Sequence, residues 1–128
     1  MGRTRTILLS INPEHVSKIF DNTKKYEFRR IRCKFDISTI LIYCTCPVKK
    51  VVGEAHVKTV IVDSPESLWS KTNGAAGINK KFYDSYFSGR DTAVAYELSN
   101  VKKYDRAKEL SEYGVKVAPQ SFVYVEDY

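Results

Sequence analysis

Between Lys24 and Arg30 the chain reads Lys-Lys-Tyr-Glu-Phe-Arg-Arg, so four cations surround one carboxylate within seven residues. That crowding favours the ionised form of Glu27. Lys24, Lys25, Arg29 and Arg30 offer themselves to phosphate, arginine in a two-pronged fork. A carboxylate set among them can accept a hydrogen bond from an exocyclic amine, as acidic side chains do with cytosine N4. In an apolar pocket the same Glu27 can act as a general base on water, with Lys24 handling the second proton. A cross-strand ion-pair ladder, with Glu27 satisfied by Arg29, uses these residues without any ligand. All three readings stand at the level of the segment.

The segment alternates charged and aromatic residues with period two, which predicts a strand over residues 24–30. Tyr26 and Phe28 then face one way and Lys25, Glu27 and Arg29 the other. Lys24 and Glu27 have opposite parity, so they share a site only if Lys24 lies in the turn before regular pleating begins.

The elements around this segment are marked by local grammar. Residues 5–11 read as a strand, with Ile7-Leu8-Leu9 buried on both faces. Asn12-Pro13-Glu14 is a helix start, with asparagine as cap and proline in the first turn, and Val16, Ile19 and Phe20 supply its apolar stripe. Residues 38–46 form a β-branched strand broken by Pro47, and extended structure resumes over 48–62 with a bulge or bend at Gly53. Ser64-Pro65-Glu66 opens a second helix. A third spans 78–88, where Ile78, Phe82, Tyr83, Tyr86 and Phe87 recur at helical spacing and Gly89 ends the run. Residues 92–98 are a strand that 101–104 continue, and 121–125 are the last. About six strands with one helix after the first and a helical pair after the fourth give an α+β domain. Strands that follow one another without a helix between them are expected to be antiparallel neighbours. A small curved sheet or barrel flanked by short helices is therefore predicted, as one domain over residues 1–128.

Composition narrows the class. The chain has 128 residues, 43% of them hydrophobic and 28% charged, which excludes disordered and fibrous classes. Its apolar runs, such as Ile40-Leu41-Ile42-Tyr43, are far shorter than the roughly 20 residues needed to cross a bilayer, so no membrane partner is expected. Met1-Gly2-Arg3-Thr4-Arg5-Thr6 shows no secretory signal, and a cytoplasmic location is the expectation. The net charge is +6 overall but +7 over residues 1–58 and −1 over the remainder. An electropositive face that attracts polyanions follows if the first half is gathered on one side. Three cysteines, Cys33, Cys44 and Cys46, are an odd number without finger-like spacing, and buried reduced thiols are expected. With only His15 and His56 as further ligands, neither a metal site nor a cofactor is predicted.

Other candidates are single residues. Tyr43, Trp69, Tyr83 and Tyr86 can stack on bases or serve the core. Lys49, beside Lys50 in the turn after Pro47, can extend a phosphate track. Gln120 and Ser121 can read a base edge or simply cap the last strand. His15, after a helix start, is expected to be exposed, and His56 lies in a strand.

The run Leu8-Leu9-Ser10-Ile11-Asn12-Pro13, then Val16 to Phe20, then Asn22-Thr23-Lys24-Lys25-Tyr26-Glu27-Phe28-Arg29-Arg30 resembles the ASCH family, within the PUA-like group of RNA-associated domains. Lys24, Glu27 and Arg29 fall at the family's motif positions, with Asn22 where glycine is common. Val51-Val52-Gly53-Glu54 is similar to a later strand, and Pro119-Gln120-Ser121-Phe122 to a feature of one prokaryotic branch. The resemblance implies a PUA-like, mostly antiparallel β-barrel with a basic cleft that binds RNA or a modified nucleoside or nucleotide. There Lys24, Lys25, Arg29 and Arg30 would contact phosphate and Glu27 the base. It also admits an enzyme on the same cleft, either an N4-acetylcytidine-type amidohydrolase or a ribonuclease, with Lys24 and Glu27 catalytic. The amidohydrolase branch has a threonine nucleophile where this chain has Glu27, and a carboxylate does not replace a hydroxyl nucleophile. A regulator that meets a protein partner through the tyrosine-rich insertion at Phe82 to Phe87 is the third reading.

Overall fold

The computed structural model describes residues 4–126, so Met1 to Arg3, Asp127 and Tyr128 lie outside it. The elements run β1 (Arg5–Ile11), α1 (Pro13–Phe20), β2 (Tyr26–Arg29), β3 (Ile37–Cys44), β4 (Lys50–Asp63), α2 (Pro65–Thr72), α3 (Lys80–Tyr86), β5 (Ala93–Lys108) and β6 (Phe122–Val125). Short 3-10 turns occupy Asn73–Ala75 and Leu110–Tyr113. The class is α+β, as expected: one six-stranded sheet, mostly antiparallel, in the order β2-β5-β4-β3-β1-β6.

Two expectations need correction. The sheet is not closed into a barrel, because β2 and β6 remain its edges. Nor are β2 and β3 neighbours, although no helix separates them. Instead β2 pairs with β5, and β3 pairs in parallel with β1. The segment between them carries the chain from one side of the sheet to the other, and its Cys33 N–H donates to the Tyr96 hydroxyl at 3.0 Å.

Burial explains the continuous apolar runs. Ile7, Leu9 and Ile11 join Ile40, Ile42 and Cys44 in a core beneath α1, while Leu8 joins Leu41, Tyr43 and Val51 on the opposite face. A strand covered on both faces has no use for alternation. A third cluster joins Phe28 of β2 to Ala93 and Ala95 of β5, roofed by Leu68, Tyr83 and Phe87 of the helical pair.

At Gly53 the registers of β4 with both β3 and β5 slip. A side chain there would overlap the Lys102 carbonyl and the Phe20 ring, so glycine lets α1 lie close to the sheet. Residues 93–108 form a single strand, so 101–104 do continue 92–98, and the strand runs four residues further. Of the cysteines, Cys33 and Cys44 are buried and reduced, and burial pushes both thiols up; Cys46 is exposed, contrary to expectation. Among the described residues no helix is long and apolar enough to cross a membrane.

Candidate functional site

The pleat of β2 places Glu27 and Arg29 on one side and Phe28 on the other. Phe28 is spent on the core, where it meets Tyr83 edge-on at 5.3 Å. Glu27 is only 7% exposed, and its Oε2 accepts from Arg29 Nη2 at 2.6 Å. The rest of the Arg29 guanidinium reaches out of β2: Nη2 to the Ser10 carbonyl at 3.3 Å and Nη1 to Ser121 Oγ at 3.2 Å. Ser10 N–H in turn donates to the Ser121 carbonyl at 3.0 Å. The two sheet edges thus meet through a side chain where no backbone ladder joins them. Burial works against the Arg29 charge, but the attraction and hydrogen bond of Glu27 prevail and its pKa rises.

Lys24 precedes the first residue of β2, in the turn, which resolves the parity conflict. It is 3% exposed, and its Nζ donates to the Ala76 carbonyl at 2.9 Å and stands 5.0 Å from the Phe28 ring centre. Burial lowers its pKa; Lys18 and Arg29 push the same way, against Glu27. The loop that receives it is shaped for the purpose. Gly77 has φ +71, and a Cβ there would overlap the Lys24 side chain. Lys18 Nζ donates to the Gly77 carbonyl at 3.0 Å, and Lys25 N–H to the Ala75 carbonyl at 2.8 Å. These three bonds hold the α2–α3 connection against the edge of β2.

A cavity of about 180 Å³ opens here, lined by Lys24, Glu27, Phe28 and Arg29, by Ser10, Ile11, Asn12 and His15 of the first strand–helix turn, and by Ile78, Phe82 and Tyr86. Its size suits one planar ring, not a drug-sized ligand. Ile78 lies in the loop before α3, which begins at Lys80 with the Asn79 side chain accepting from Phe82 N–H at 2.8 Å. That cap turns Phe82, 46% exposed, towards the rim, where it lies parallel to Tyr86 at 6.5 Å.

His15 corrects an expectation. It is not exposed: its side chain is 14% accessible and its ring meets Phe82 edge-on at 5.7 Å. Burial is the largest influence lowering its pKa, followed by the Lys24 charge. Asn12 precedes α1 as expected but makes no side-chain cap; its Oδ1 accepts from Thr45 Oγ1 at 3.4 Å.

The remaining candidates are dispersed. Lys25 is exposed beside the cleft. Arg30 is exposed too, its guanidinium 4.1 Å from the Tyr86 ring centre and its Nε donating to the Tyr86 carbonyl at 2.9 Å. Ser121 touches the cleft through Arg29, whereas Gln120 is exposed and does not line it. Lys49, at φ 55 in the β3–β4 turn, lines a separate hollow with Glu109 and Lys116. Of the aromatic candidates only Tyr86 reaches the cavity; Tyr43, Tyr83 and Trp69 pack in the core clusters, and His56 is exposed on β4. His15 and Phe82 were missed as site residues, and only their neighbourhood to a helix start signalled them. Among the described residues no group of histidine, cysteine and carboxylate side chains is placed to hold a metal ion.

The chain is similar to known proteins in sequence and in fold. A ribosomal protein uL22 of Ureaplasma parvum is 35% identical over 124 residues, 96% of this chain but 40% of that protein, so the chain spans less than half of that relative. An ASCH domain-containing ribonuclease of Zymomonas mobilis is 34% identical over 92 residues, 71% of this chain and 62% of that one. The crystal structure of ASCH from Zymomonas mobilis superposes with a TM-score of 0.86 at 28% identity, covering 95% of this chain and 88% of the other. The family model described as domain of unknown function (DUF365) matches residues 5–125. The chain therefore belongs to that family and is an ASCH domain protein with a PUA-like fold.

Proposed function

We propose that the cleft receives one nucleotide of a single-stranded RNA, with its base inside and its backbone at the basic rim. The observation that carries this reading is the meeting of Lys24, Glu27 and Arg29 in one cavity beside two rim aromatics, Phe82 and Tyr86. Unstacked bases are recognised in this way, by a π face for stacking and polar groups for the base edge. Arg29 engages Oε2 of Glu27, which leaves Oε1 to accept from an exocyclic amine. Lys25 and Arg30, exposed on either side, supply the phosphate contacts.

Fluorescence anisotropy with labelled RNA tests this. Affinity should fall with salt, with a log–log slope close to −0.7 per phosphate contacted, the value for single strands. Binding that is absent, or insensitive to Phe82→Ala, sinks the reading.

A second reading, cleavage of the bound RNA, is favoured by the relative named as a ribonuclease and by a buried lysine whose lowered pKa suits proton transfer. Incubation of the pure protein with RNA, wild type beside Glu27→Gln, decides it: strand scission by the first and not the second is expected. The protein-partner reading has less to stand on, because Tyr83 and Phe87 of the insertion are buried.

A further inference from the structure

The cleft contains one ionisable ring with no hydrogen-bond partner. Nδ1 of His15 is buried and unpartnered. Its Nε2 lies 3.9 Å from Glu14 Oε1, beyond hydrogen-bond range. Buried polar groups almost always find partners, and a largely buried imidazole that uses neither nitrogen is uncommon. Lys24 is tied to the Ala76 carbonyl, and both terminal nitrogens of Arg29 are engaged by Glu27, Ser10 and Ser121, although its Nε is likewise buried without a partner.

We infer that His15 is the charge-reading residue of the cleft: it takes up a proton when an RNA phosphodiester reaches the rim and so favours a nucleotide chain over a neutral nucleoside. The inference rests on the RNA reading above and adds to it a residue and a ligand charge.

The groups around the ring make this two-state behaviour. From α1 itself, Glu14 draws a proton towards the ring and Lys18 repels it. From the turn Lys24 repels it, and from β2 Glu27 attracts it. Arg29 lines the same cavity, and α3 presents only Phe82 and Tyr86. In the free protein burial and Lys24 prevail, so the imidazole sheds its proton more readily than an ordinary histidine. A phosphodiester at the rim adds a negative charge that opposes Lys24 and reverses this balance, so the ring becomes a cation. A nucleoside adds no charge and leaves the ring neutral. Proton uptake on binding means that affinity strengthens as pH falls, by up to about tenfold per pH unit for one linked proton.

The test uses a short oligoribonucleotide without terminal phosphates, whose diesters do not titrate near neutrality. Calorimetric titration in two buffers of different ionisation enthalpy should show net proton uptake by the wild type, and none with the free nucleosides. His15→Asn and His15→Gln should bind without uptake and without the pH dependence. The chain has only two histidines, so NMR can also follow the His15 ring in the unaltered protein, where its pKa should rise on saturation with the oligonucleotide. Binding with no uptake, uptake that persists in both variants, or an unmoved His15 titration overturns the inference while leaving RNA recognition intact. Failure of the wild type to bind the oligonucleotide overturns both.

Discussion

Glu27 and Arg29 stand two positions apart on one short strand and meet side by side, Oε2 to Nη2 at 2.6 Å, with side chains 9% and 16% accessible. The pleat alone brings such residues to one face. The pair does two things there. It shields a carboxylate in the cleft wall, and it aims the guanidinium across the seam between β2 and the β1–β6 side of the sheet.

Replacing Glu27 with Gln keeps the shape and removes the charge. The guanidinium then loses its ionic partner while two other contacts remain, so a loss of about 1.5–3 kcal/mol, the range for a hydrogen bond to a charged group, is expected in urea denaturation. RNA binding should survive with altered base preference, read by anisotropy on homopolymeric RNAs.

Gly77→Ala should act on the cleft from outside it. The left-handed backbone at φ +71 costs an alanine about 1–2 kcal/mol, and the new methyl must also push Lys24 aside. Gly89→Ala is the control, with φ +77 and open space around it. Both variants should melt lower than wild type, but only the first should weaken RNA binding.

Ser121→Ala removes the contact that holds Arg29 Nη1 to the approach of β6. A hydrogen bond contributes about 0.5–1.5 kcal/mol, and this one is exposed, so stability should fall only slightly. The guanidinium keeps Glu27 but loses an anchor, and RNA affinity should drop by more than stability does. Equal effects on both would count against a role in the cleft.

Asp63 gives a pH signature remote from the cleft. Hydrogen bonds from the Lys71 ammonium, the Ser67 hydroxyl and the Ser64 N–H hold its carboxyl down at about 2. A carboxyl depressed on folding stabilises the protein above the ordinary aspartate range, and that contribution is lost as pH falls through the folded value. Asp63→Asn should therefore be less stable than wild type at neutrality, and the difference should shrink as pH falls through the ordinary aspartate range towards about 2, read by urea denaturation followed by circular dichroism at each pH.

How much of this could be read without coordinates differs by element. The strand over Arg5–Ile11 and the helix from Pro13 were legible to the residue, because periodicity and helix-start residues act over a few positions. The shared face of Glu27 and Arg29 was legible for the same reason. The third helix was read two residues early, at Ile78, because an apolar residue at helical spacing belongs in fact to the loop that walls the cavity.

By itself, then, the sequence determined the number and kind of elements, the open question of where Lys24 sits, and a cationic strand with one acid on its polar face. Tertiary structure alone decided that β2 crosses to β5, that the sheet stays open, and that a side chain spans its seam. It alone placed His15, Phe82 and Ser121 beside Glu27 and Arg29, from as far as 92 positions along the chain. Local propensities act over a few residues, whereas strand order and cleft walls arise from which apolar faces can be buried together. No period in the sequence records that choice.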